Sequence, residues 1–166
     1  TIKNCKNSGN IFGITKNSNS PLKLMGIGSA KDLINCHNSG ILESQSENFG
    51  YNFNSSCSGI GGNEFTTTII DCSNTGKISS LNGISSGIIS TNLRENTESP
   101  NFCTISGCFN SGEILATAIS FSFCGGITAY LTGSISRCYN TGVIYSPNGY
   151  AGGIGAILKD NIGADR

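Results

Sequence analysis

The sequence predicts an all-β fold: a single-stranded parallel β-solenoid (β-helix) of about five coils of roughly 30–36 residues with inserted loops, one array over residues 1–166. Three observations predict it. A motif Cys-x-Asn-[Ser/Thr]-Gly-x-[Ile/Leu] occurs at Cys5–Ile11, Cys36–Leu42, Cys72–Ile78, Cys108–Ile114 and Cys138–Ile144. Each copy is followed by a Gly-Ile pair, at Gly26-Ile27, Gly59-Ile60, Gly87-Ile88, Gly126-Ile127 and Gly153-Ile154. The composition of 22 Ile, 23 Gly, 24 Ser and 20 Asn, with 12% charged residues, suits pleated strands and close turns and is short of good helix formers.

The first half of each repeat opens with an apolar residue three positions before the cysteine: Ile2, Leu33, Ile69, Ile105 and Ile135. Within the motif, Cys, Asn, Gly and Ile fall on every second residue, the period of a strand. One face is therefore expected to carry Cys5, Cys36, Cys72, Cys108 and Cys138; Asn7, Asn38, Asn74, Asn110 and Asn140; and Gly9, Gly40, Gly76, Gly112 and Gly142. The opposite face carries a hydroxyl at its middle position throughout: Ser8, Ser39, Thr75, Ser111 and Thr141. Asn-[Ser/Thr]-Gly also suits a tight corner, because Asn and Gly tolerate left-handed backbone angles. The motif is expected to run as a strand into the Cys, a bend at the Gly, and a short strand through the Ile.

In the second half, the residue two after the Ile is small (Ser29, Gly62, Ser90, Ala129, Ala156), which lets a backbone pass close to a neighbour. Motif cysteines are 31, 36, 36 and 30 residues apart. The variation is assigned to loops at Phe12–Lys23, Glu43–Ser56 and Thr91–Phe102. A unit of this length cannot bury an apolar face alone, whereas stacked copies bury a continuous core. Equivalent residues then form columns about 4.8 Å apart, with Ile supplying burial and Asn bonding along the stack as an amide ladder. A propeller blade needs about 40–45 residues, and a leucine-rich repeat needs a Leu frame that is absent. The chain opens on one repeat and stops in another, as expected of an excerpt or processed segment of a longer array.

The alternation of halves resembles the GLUG motif. The match is closest over Gly125-Gly126-Ile127, Cys138-Tyr139-Asn140-Thr141-Gly142-Val143-Ile144 and Gly152-Gly153-Ile154. It departs at Ser85-Ser86-Gly87, where the first Gly is lost, and in the long insertions. The resemblance implies β-solenoid repeats of large secreted or surface proteins, a structural or adhesion scaffold, and no catalytic residues.

The formal net charge of zero excludes a basic nucleic-acid footprint. No apolar run approaches the ~20 residues of a membrane helix. Zinc ligation is disfavoured, since no Cys-x-x-Cys occurs and His37 is the single histidine. No motif binds a cofactor. Cys36 and His37 are adjacent in a strand and so point to opposite faces, which rules them out as a nucleophile pair. Ten scattered carboxylates leave a polysaccharide-active β-helix enzyme as a third-ranked reading. Column cysteines fall within disulfide reach of one another, and Cys103 is placed to clip the third loop to Cys108 or Cys72. Cys57 and Cys124 precede a Gly-Ile half by the same interval and are expected to face the core.

The Ser/Thr column reads as corner chemistry or as a flat hydroxyl array for ice or glycan. The second loop offers Phe49, Tyr51 and Phe53 as a contact for a protein or glycan, and Asn54-Ser55-Ser56 as an N-glycosylation sequon. The leading expectation is a non-enzymatic extracellular or cell-surface scaffold. The alternative is a filament subunit stacking through its ends.

Overall fold

The computed structural model describes residues 1–16, 22–46, 55–63, 65–91, 102–118 and 122–159. All regular structure among the described residues is strand, and every strand pair is parallel. The strands form one seven-stranded sheet and three five-stranded sheets. In each, a strand pairs with its equivalents in the repeats before and after, a β-helix-like arrangement.

The entry sheet holds the strands that lead into each Cys: Ile2–Lys3, Asp32–Ile34, Thr68–Ile70, Cys103–Ser106 and the end of Thr128–Ser136. Its register aligns Ile2, Leu33, Ile69, Ile105 and Ile135 in one column. The Cys sheet follows the cysteines: Lys6–Asn7, His37–Asn38, Ser73–Asn74, Phe109–Asn110 and Tyr139–Asn140. The Ile sheet continues through Ile11–Thr15, Leu42–Ser46, Ile78–Leu81, Ile114–Thr117 and Ile144–Tyr145. The Gly sheet ends each repeat's return: Leu22–Met25, Ser55–Ser58, Gly83–Ser86, Phe123–Gly125 and Tyr150–Gly152. The strands after Gly-Ile, namely Ile89–Thr91, the start of Thr128–Ser136, and Gly155–Lys159, join the seven-stranded sheet. A repeat therefore uses up to five short strands.

The main core lies inside these walls. Leu33, Ile60, Ile69, Ile88, Ile105 and Ile127 are fully buried with the column cysteines Cys36, Cys72 and Cys108. Leu42, Ile78 and Ile114 pack with Cys57 and Cys124 on the other side. At ~1.5–3 kcal/mol per buried aliphatic side chain these columns are the main favourable term.

Three sequence expectations are corrected here. The left-handed corner is not at the motif Gly but at the residue before each Cys: Asn4 (φ 56°), Asn35 (50°), Asp71 (51°), Gly107 (65°) and Arg137 (52°). The chain does bend at the motif Gly, yet none of those glycines has positive φ. They are glycine because a methyl on Gly40, Gly76, Gly112 or Gly142 would overlap the carbonyl of the equivalent Gly one repeat earlier. Second, strands extend into the first two expected loops, so the intervals between the Ile and Gly sheets there narrow to 16–21 and 47–54; of the third, Thr91 belongs to a strand and residues 92–102 remain between it and Cys103. The polar run Glu43-Ser44-Gln45-Ser46 stays in the sheet because Ser44 and Ser46 face inward and are 1% exposed. Third, all eight cysteines are free thiols. Cys103 is fully buried in the entry sheet, in register with Gly133, and clips nothing.

Where the third repeat carries residues 92–102 between Thr91 and Cys103, the fourth runs straight through Leu131 and Thr132 in one nine-residue strand.

Candidate functional site

The column residues form two hydrogen-bonded ladders. In the first, each Asn Nδ2 donates to the next repeat's Oδ1, from Asn7 through Asn38, Asn74 and Asn110 to Asn140, at 2.7 Å each time. The same nitrogen donates to the carbonyl two residues on, at Gly9, Gly40, Gly76, Gly112 and Gly142, 2.8–3.0 Å away. Asn38, Asn74 and Asn110 are fully buried, and these bonds satisfy both amide hydrogens. Across the interior, each amide abuts a glycine of the Gly-Ile half. A methyl on Gly26, Gly59, Gly87 or Gly126 would overlap Asn38, Asn74, Asn110 or Asn140 respectively. The two glycines of each repeat thus make room for one asparagine.

The second ladder is of thiols. Cys36, Cys72 and Cys108 each donate a backbone N–H to the sulfur of the next repeat, at 3.4 Å. Each column thiol reaches back to its own i−2 carbonyl at 3.2–3.4 Å. Burial pushes the thiols of Cys57, Cys103 and Cys124 up to about 12. Cys108 is pushed up by its hydrogen bonds to Cys138 and Cys72, so it keeps its proton. Its donation pulls Cys138 down to about 7. The same partner holds the Cys72 thiol below its usual value.

The outer face of the Cys sheet carries Lys6, His37, Ser73, Phe109 and Tyr139 in register. His37 Nδ1 lies 2.6 Å from Ser73 Oγ, and burial with the nearby Lys6 charge holds its pKa below the usual value. The Phe109 and Tyr139 rings stack with centroids 5.2 Å apart and 4° between planes. Ser8, Ser39, Ser111 and Thr141 are exposed, as is Thr75; Ser39 and Thr75 donate to the carbonyls of Asn7 and Asn38. Those two bonds are the corner chemistry of the column.

Described carboxylates stand apart. Asp32 accepts from Thr1 Oγ1, Glu113 pairs with Lys77 at 3.1 Å on the surface, and no two occupy neighbouring register positions among the described residues. Nor do three His, Cys, Asp or Glu side chains among the described residues gather to hold a metal ion. Phe49, Tyr51, Phe53 and Asn54 lie outside the described residues.

Two features escaped the sequence reading. The corner column pairs Asn35 Nδ2 with Asn4 Oδ1 at 2.8 Å. Its signal was present, since Asn, Asn, Asp and Gly precede four of the five cysteines and tolerate left-handed angles. A second apolar cluster sits on the outer side of the Gly sheet, where Ile84 and Phe123 are buried against Ala129, Ala156 and Ile157. The strand after Gly-Ile packs there through Ala129 in the fourth repeat and through Ala156 and Ile157 in the fifth. In the second and third repeats the same approach is closed by Ser58 Oγ donating to Ser90 Oγ at 2.9 Å.

The chain matches no protein-family model, no curated protein and no solved structure.

Proposed function

We propose that the chain is a single parallel β-solenoid of about five coils that serves as a non-enzymatic scaffold or adhesion module at the cell surface or outside the cell. One observation carries the reading. The Ile and Asn columns keep register across every repeat, while the intervals that vary in length lie between strands: 16–21, 47–54 and 118–122 between the Ile and Gly sheets, and 92–102 between two strands of the seven-stranded sheet. Invariant columns with variation confined to the connections between strands are what a rigid support with contact loops requires. The interval 47–54 carries Phe49, Tyr51 and Phe53, aromatic groups suited to a sugar ring or a protein surface. The likeness to GLUG repeats supports the same reading. The test is binding of the full chain to glycan and matrix-protein arrays, repeated with Tyr51→Ala. A ligand whose binding drops at least tenfold in that variant, with unchanged thermal stability, supports the proposal. Failure to retain any ligand, or binding indifferent to all three aromatic side chains, defeats the adhesion reading.

A further inference from the structure

We propose that the thiol ladder in the interior binds a soft monovalent cation with a filled d shell, copper(I), held in line between the sulfurs of consecutive repeats, at Cys36–Cys72 and at Cys72–Cys108. The site lies within the middle repeats and is separate from the contact loops of the scaffold reading.

One side-chain conformation, used three times, places the sulfurs. The thiols of Cys36, Cys72 and Cys108 each donate to their own i−2 carbonyl, at Ile34, Ile70 and Ser106, over 3.3–3.4 Å. Each also lies 3.6–3.9 Å from a carbonyl of the preceding repeat, at Ile2, Leu33 and Ile69. The backbone N–H groups of Cys36 and Cys72 point at the sulfur of the next repeat, 3.4 Å away. Side chains that share a rotamer on parallel strands in register are displaced by one strand spacing, so successive sulfurs stand ~4.8 Å apart. They face one another directly, the Cys72 thiol meeting that of Cys108 on one side and that of Cys36 on the other.

Two metal–thiolate bonds of about 2.3 Å laid end to end span about 4.6 Å, which matches that gap. Zinc cannot use it, because zinc takes four ligands in a tetrahedron, and no three His, Cys, Asp or Glu side chains gather round one point among the described residues. A monovalent ion with a filled d shell is satisfied by two soft sulfurs in a line, and thiolates select copper(I) over harder ions. The surroundings suit the charged form of the ligands. The N–H groups already aimed at the Cys72 and Cys108 sulfurs would stabilise thiolates there. Leu33, Ile69 and Ile105 are fully buried in the same cluster and exclude water and competing ligands. Charge balances as well. Each copper(I) enters as one thiol proton leaves, so two ions and one remaining proton on three sulfurs make a neutral column, as a buried site requires. The copper stays in its monovalent state throughout, and no sulfur is oxidised.

The test uses the full chain, reduced and kept free of oxygen, titrated with copper(I) supplied as its bicinchoninate complex. The eight cysteines of the unfolded chain also bind copper(I), so the first reading is the sign of the stability change. A site in the folded column raises the urea midpoint. A lower midpoint in copper means that the unfolded thiols bind better, and it overturns the proposal. X-ray absorption at the copper edge should show two sulfur neighbours per ion; a third ligand overturns the in-line site. Neither reading needs a variant. Cys72→Ser removes both gaps and should lower the bound copper by two ions per chain, whereas Cys57→Ser, off the column, should leave it unchanged. Equal losses in the two variants, or no loss in either, overturn the assignment to the column. Proton release of one per ion taken up should accompany binding, and uptake without it contradicts the exchange.

Discussion

Replacing Asn74 by alanine tests the interior ladder most directly. Asn74 is fully buried, donates to Gly76 O at 2.8 Å and Asn110 Oδ1 at 2.7 Å, and accepts from Asn38 Nδ2 at 2.7 Å. Alanine leaves those three partners unpaired, out of reach of water, at about 1–3 kcal/mol each. A small cavity adds to that, and the expected loss is roughly 4–6 kcal/mol, a large part of the ~5–15 kcal/mol that holds a domain together. Asn7→Ala leaves one buried acceptor, Asn38 Oδ1, and one exposed carbonyl, that of Gly9, so a smaller loss of about 1–3 kcal/mol is expected. Urea unfolding followed by circular dichroism measures both, provided the slopes agree. If the two variants fall within 1 kcal/mol of each other, the buried ladder is not what the amides contribute. Asn74→Asp adds a check of sign. A carboxylate cannot donate to Gly76 O or Asn110 Oδ1, and burial raises its pKa. The variant should therefore be least destabilised below the unfolded carboxyl pKa of about 3.9 and should lose stability as the pH rises past it.

Three further outcomes follow. Gly76→Ala forces a methyl onto the Gly40 carbonyl and should cost about 3 kcal/mol or more by chemical denaturation, while Gly9→Ala, which meets no such atom, should change stability by less than about 1 kcal/mol. The thiols of Cys57, Cys103 and Cys124 ionise near 9.0 when unfolded and near 12 when folded. The unfolded chain then binds fewer protons in that interval, so stability should fall with rising pH at up to about 4 kcal/mol per pH unit; Cys103→Ala should reduce the slope by about a third, and a flat profile would contradict the burial of these groups. Alkylation by iodoacetamide should modify Cys138 with a midpoint near pH 7, shifting up toward 9.0 in Cys108→Ala once the donated hydrogen bond is gone; a midpoint that does not move between the two proteins rejects that cause.

The period of the motif was enough to place the Ile, Cys and Asn columns, because a strand alternation repeated five times admits one register. What sequence could not separate were the two reasons for a glycine. Gly76 reads equally well as a left-handed corner or as a bare backbone, and the carbonyl of Gly40, which decides between them, belongs to a residue 36 positions away. The polar stretch Glu43–Ser46 read as loop because serine is a poor core residue; it holds its strand since the interior beside Cys57 is narrow and takes small side chains. Ile84 and Phe123 were not singled out from the sequence. Their burial depends on the following strand folding back, with Ala129 small enough to let it. The aromatic residues Phe49, Tyr51 and Phe53 were singled out by type alone, and their placement is outside the described structure.

The straight run through Leu131 and Thr132 has a consequence for engineering. The same pair of flanking strands is joined by those two residues in the fourth repeat and by residues 92–102 in the third, with Thr91 still facing Tyr130 and Cys103 still facing Gly133. One place in the wall therefore tolerates lengths that differ several-fold, at a closure cost that grows only as the logarithm of the length, about 1.5 kcal/mol for this change. That makes it a socket: foreign peptides of about the native length, spliced in at Leu131-Thr132, would be held by strands whose pairing already accommodates them.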